Sequence, residues 1–92
     1  MSFTLTVTTV DFEAARAAQK HVSYDICAHC LVAQALLRQE GRPIRVGCSF
    51  DVKGEHYSVA YTPLSDLIDA FDARDYPAVR AMLPLTVTLE AS

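Results

Sequence analysis

Glycine and cysteine are both scarce in this chain, three of each among 92 residues. Three glycines build no Gly-rich phosphate loop, and neither G-x-S-x-G nor H-E-x-x-H occurs. A nucleophile elbow, a P-loop and a zincin site are thereby excluded, and catalysis is not expected. Three cysteines suit no disulfide framework, and the Thr-rich start carries no basic stretch of the kind that opens a signal peptide. The expectation is a soluble intracellular protein in a reducing compartment, with Cys27, Cys30 and Cys48 as thiols or metal ligands. The longest nearly uncharged run, Ile26 to Leu37, is too short to span a bilayer. Basic residues are also in deficit: eight Lys and Arg against eleven Asp and Glu leave a net charge of −3. A general DNA-binding protein needs the opposite balance, because its affinity comes from counterions released by Lys and Arg.

Apolar residues, in contrast, are plentiful. A hydrophobic content of 51% with 21% charged residues supplies one core and argues against disorder. The length suits a single domain spanning 1–92. Phe3, Leu5, Val7 and Thr9 alternate with Thr4, Thr6 and Thr8, which predicts a strand over 3–9. Thr9 or Asp11 then caps a short helix over 12–19, and residues 20–25 lose all periodicity. Asp25 caps a second helix over 27–39 that is apolar around most of its girth and so belongs in the core; Gly41 ends it, and Pro43 stops its continuation. Alternation over 44–50 predicts a strand with Ile44, Val46 and Cys48 on one face. Residues 51–54 form a turn, and a returning strand covers 55–61 with Tyr57, Val59 and Tyr61 sharing a face, expected to be covered by a helix. Thr62-Pro63 starts the clearest amphipathic helix, with Leu64, Leu67, Ile68 and Phe71 at i, i+3, i+4 and i+7. Asp75-Tyr-Pro77 breaks it, a short turn over 78–83 follows, and Leu85, Val87 and Leu89 mark a last strand. The order β-α-α-β-β-α-β predicts an α+β fold with a four-stranded, mainly antiparallel sheet and two or three helices.

Four groups of residues carry possible chemistry. Cys27-Ala-His-Cys30 can donate two thiolates to zinc, with Cys48 and one of His21, His29 or His56 completing a tetrahedron. The same tetrapeptide resembles a thioredoxin-type redox site, which expects a strand immediately before it, and His21 to Asp25 makes a poor strand. The bland reading of Cys30 and Cys48 is small core hydrophobes. Arg38, Arg42 and Arg45 cluster around the Gly41-Arg-Pro turn, where three guanidiniums can grip phosphates or carboxylates, or simply decorate a solvated turn. Asp66, Asp69 and Asp72 recur at every third position opposite the apolar stripe of their helix, as an acidic binding face or as its ordinary wet side. Tyr57 and Tyr61 form a stacking platform only if their face is open.

Taken in order, these segments resemble small phage-encoded anti-CRISPR proteins of the class that inhibits the type I-F surveillance complex. The resemblance rests on the Thr-rich strand (Thr4 to Thr9), the Cys-x-x-Cys opening an Ala/Leu helix (Cys27 to Leu37) and the Gly41 to Pro43 turn. It continues through the Tyr-containing strand into Thr-Pro-Leu (Tyr57 to Leu64), Ile68 to Asp72 and the Leu85 to Leu89 strand. It covers the whole chain without a single diagnostic motif. It implies inhibition without catalysis, in the cytoplasm of an infected bacterial host. The partners would be the Cas proteins and guide RNA of that complex, with target DNA prevented from pairing and no independent DNA binding. Asp66, Asp69 and Asp72 then face Lys or Arg of the complex, and Arg38, Arg42 and Arg45 face guide phosphates. The runner-up is a zinc-stapled phage accessory protein using Cys27, Cys30, Cys48 and His56.

Overall fold

In a computed structural model, which describes residues 2–21 and 23–91, the chain is α+β, with nine elements. In chain order these are β1 (Ser2–Val7), α1 (Thr9–Gln19), α2 (Ile26–His29), α3 (Leu31–Glu40), β2 (Ser49–Val52), β3 (Glu55–Ser58), α4 (Pro63–Asp72), α5 (Tyr76–Met82) and β4 (Leu85–Glu90). Among the described residues, no helix is long and apolar enough to cross a membrane. The expected four-stranded sheet is replaced by two separate antiparallel ribbons, β1 with β4 and β2 with β3. A bridge between Tyr57 and Ala91 joins them.

The Thr alternation builds the first ribbon. Thr4 faces Thr88 and Thr6 faces Thr86, with each pair of hydroxyls 3.0 Å apart on the exposed side. Leu5, Val7, Val87 and Leu89 turn inward into the core. The outer edge of β1 is occupied by side chains of α3. The Gln39 amide donates to the Thr4 carbonyl at 2.8 Å, and Arg38 Nη2 donates to the Thr6 carbonyl at 2.7 Å. That edge is thus closed to a further strand, one reason the sheet stays narrow.

The second ribbon is shorter than the alternation predicts. Its turn is tight because Lys53 and Gly54 both take positive φ (52° and 80°), the pattern of a two-residue hairpin with Val52 opposite Glu55. Ile44 and Val46 are buried and Arg45 exposed, as alternation requires, yet Val46 N–H donates to the Cys27 carbonyl at 2.8 Å. The segment docks on α2 instead of a strand, and Cys48, expected on the inward face, is exposed. The long second helix also divides. Cys30, at φ −65° and ψ 166°, ends α2 and begins α3, with no Gly or Pro at the break to betray it.

The core gathers Leu31, Val32 and Leu36 of α3, Phe12 of α1, Leu64, Leu67 and Phe71 of α4, and the inward faces of both ribbons. Phe3, Phe50 and Tyr57 stack across the junction of the ribbons at 5.3–6.0 Å between ring centroids. Among the described residues, the one buried charged residue is Asp11. It stands at the third position of α1, where its Oδ2 accepts from the Thr8 backbone N–H at 2.8 Å, so Thr8 is the cap and not Thr9. Arg38 clamps the same carboxylate with two bonds of 3.0 Å. Removing the guanidinium leaves a buried carboxylate supported only by Thr8. Breaking a buried pair costs about 3–5 kcal/mol, and half-exposure of Arg38 moderates this, so we expect Arg38→Ala to lose about 2–3 kcal/mol. Arg38→Lys, which keeps charge but not the fork, should fall between. Urea midpoints of the three proteins measure this order; a wild-type midpoint for Arg38→Ala would contradict the clamp.

Candidate partner-binding surface

The surface is set by how α4 begins. Thr62 precedes a proline and is therefore extended (φ −117°, ψ 164°), and its hydroxyl oxygen accepts from Leu64 N–H at 3.2 Å while donating to the Val59 carbonyl at 2.6 Å. That double anchorage folds the chain tightly between Val59 and Thr62. Tyr61 absorbs the turn with φ 62°, a left-handed conformation unfavourable to an aromatic residue. Tyr57 and Val59 are buried as a covered strand face requires, but β3 stops at Ser58 and Tyr61 swings out, 105% exposed. It does not share the face of Tyr57.

Behind Tyr61 the first turns of α4 carry Asp66 and Asp69, and Asp72 follows; all three are exposed, with Leu64, Leu67 and Phe71 buried on the opposite side. Partial desolvation, and then the charge of Asp69, hold the Asp72 carboxyl above the usual range. Two hollows flank the aspartates. One of about 210 Å³ is lined by Gly47, Cys48, Val59, Ala60, Ser65, Ile68 and Asp69. The other, of about 520 Å³ and more open, is lined by Ala60, Tyr61, Thr62, Pro63, Ser65 and Asp66. Ala60 and Ser65 border both, so the two adjoin as one groove, with Asp69 lining the first part and Tyr61 and Asp66 the second. Sequence reasoning found the aspartates but missed Tyr61 and Cys48 as surface groups. The available signal was the position of Tyr61 immediately before a Thr-Pro helix start.

The three arginines do not act as one cluster. Arg38 is committed to Asp11, and Arg45 to Asp25 at 2.8 Å. The Arg45 guanidinium, with Cys27 N–H donating at 2.9 Å, holds the Asp25 carboxyl below its ordinary range. Arg42 is exposed on the turn between them. The metal candidates are likewise dispersed in role. Cys30 is buried, which pushes its thiol up; Cys27 is half-buried; Cys48 lies exposed at the groove. His29 Nδ1 accepts from Asp25 N–H at 2.9 Å, and His56 Nδ1 lies 2.7 Å from Asp51 on the hairpin. Among the described residues, no three His, Cys, Asp or Glu side chains gather as a metal site. No family model, curated protein or solved structure matches the chain.

Two predictions follow from this geometry. A left-handed non-glycine residue costs about 1–2 kcal/mol, and the exposed Tyr61 ring returns little packing, so Tyr61→Gly should raise stability by about 0.5–1 kcal/mol. A lowered thermal midpoint would show that the ring packs somewhere. Tyr24 stacks on His29 with centroids 5.9 Å apart, and burial, reinforced by Cys30 and Asp72, pushes its phenol from 10.0 to about 12. The folded state therefore favours the neutral phenol: its stabilising effect is complete below pH 10 and fades as pH rises towards 12. Wild-type protein should lose stability over that range faster than Tyr24→Phe, as read from urea midpoints at successive pH values.

Proposed function

We propose that this protein is a non-catalytic inhibitor that acts by occupying a positively charged site on a larger assembly, through the groove bounded by Tyr61, Asp66 and Asp69. The observation that carries this reading is Tyr61, a fully exposed aromatic held in a left-handed backbone beside two exposed carboxylates. Strain of that kind persists where something other than folding benefits from it. An exposed tyrosine is a typical interface anchor, and adjacent carboxylates match the Lys and Arg of a nucleic-acid channel. The net charge of −3 favours approach to such a channel.

Following the resemblance, the assembly is the type I-F crRNA-guided surveillance complex in the cytoplasm of an infected bacterium. RNA-guided effectors hold nucleic acid in basic channels, and an acidic plug there blocks pairing of target DNA with the guide. Asp72 extends the acidic edge. Of the three arginines, Arg42 is the one left for guide phosphates, with Arg45 beside it, because Arg38 is spent on Asp11.

The test is mobility shift of purified type I-F complex, with the protein added before or after target DNA. Prior addition should prevent DNA loading. Tyr61→Ala should weaken binding about 30-fold, equivalent to about 2 kcal/mol at an interface anchor. Simultaneous Asp66→Lys, Asp69→Lys and Asp72→Lys should abolish it in a protein that still folds. Absence of binding by the wild-type protein would overturn the choice of target, and full binding by the triple variant would overturn the acidic groove.

A further inference from the structure

Cys27 and Cys30 stand in one turn of chain at the junction of α2 and α3 and differ sharply in access. Cys27 is half-buried, whereas Cys30, three residues on, is 2% exposed. We propose that the two form a thiol–disulfide exchange site for low-molecular-weight disulfides, with Cys27 as the attacking and Cys30 as the resolving thiol.

Three features support the assignment. Cys27 lies within α2 and Cys30 keeps a helical φ of −65°, so its Cβ sits where the next helical residue would place it. Side chains at i and i+3 have Cβ atoms about 5–6 Å apart, against about 3.5–4.5 Å in a disulfide, which leaves about 1–2 Å to close. Cys30, at ψ 166°, ends the short α2 and caps α3, its carbonyl accepting from Gln34 N–H at 2.9 Å, so the closing movement falls to the Cys27 side of the pair. Finally, a cation is held at the turn that carries the outer cysteine: Asp25 pairs with the Arg45 guanidinium at 2.8 Å and accepts from Cys27 N–H at 2.9 Å. Negative charge resides on Cys27 sulfur during exchange, and a guanidinium anchored at the same turn opposes it. Among the described residues no strand enters this turn, as a thioredoxin-type site would require, but exchange needs only the two thiols and unequal access.

The chemistry balances with the small disulfide as oxidant. The Cys27 thiolate attacks one sulfur of that disulfide, its S–S bond breaks, and one thiolate departs and takes up a proton. Cys30 sulfur, giving its proton to water, then attacks Cys27 sulfur and expels the second thiol. The protein loses two electrons and two protons, and the disulfide becomes two thiols.

The experiment uses the reduced full chain with oxidised glutathione at graded ratios to reduced glutathione, quenched in acid and read by intact mass and peptide mapping. A loss of two hydrogens mapped to a Cys27–Cys30 link is expected, unchanged in Cys48→Ser. Cys30→Ser should trap glutathione on Cys27, and Cys27→Ser should slow labelling of Cys30 at least tenfold. Because Cys30 is buried, Cys30→Ala provides a second resolving-thiol variant if the serine does not fold, and the wild-type mapping stands without either. A stable glutathione adduct on Cys27 of the wild-type protein with no internal link would overturn the proposal. So would reaction confined to Cys48.

Discussion

The Asp11 carboxylate ties together three parts of the chain that are far apart in sequence. One oxygen takes the Thr8 backbone N–H and so closes the start of α1, and both take the fork of Arg38 from the end of α3. The same guanidinium reaches the Thr6 carbonyl on β1. A buried carboxylate with 2% exposure is tolerable only because every side of it is met by a donor. The arrangement also fixes which way α3 faces. With Arg38 and Gln39 turned onto β1, the Leu31, Val32, Ala35 and Leu36 side is directed into the core.

From that orientation the rest of the architecture follows. Closure of the β1 edge by α3 limits the Thr-rich ribbon to two strands, and the hairpin of β2 and β3 attaches to it through a bridge and an aromatic cluster. Between ribbon and hairpin, the chain must return from β3 to a helix that lies against the core. It does so within four residues, Val59 to Thr62, and the sharpness of that return leaves Tyr61 in solvent with positive φ. The groove is thus a consequence of a short connection meeting a strongly anchored helix start. The carboxylates beside it are on the wet side of α4 in any case. What distinguishes the surface from an ordinary solvated helix face is the aromatic ring held out at its end.

Much of this was legible in the residues. The Thr alternation gave both strands of the first ribbon, Thr62-Pro63 gave the start of α4, and the Leu64, Leu67 and Phe71 spacing gave its buried side. The failures have a common physical origin. Burial alternates over Ile44 to Gly47 as it would in a strand, but periodicity reports which side chains are inside and not which carbonyl a backbone N–H will find; here Val46 finds Cys27. The break at Cys30 carries no Gly or Pro, so no local residue marks it. Arg38 looked free beside Arg42 and Arg45, since its partner Asp11 lies 27 residues away.

The sequence by itself therefore determined the mixed class, the amphipathic faces and the helix start, which depend on side-chain period and local capping and are settled within about a turn of chain. Tertiary structure alone decided how the strands divide, which charges are spent internally, that Tyr61 stands in solvent, and that Cys27 is half-buried while Cys30 is buried. Those depend on partners supplied from distant segments, and a one-dimensional pattern holds no record of which distant donor arrives at which acceptor.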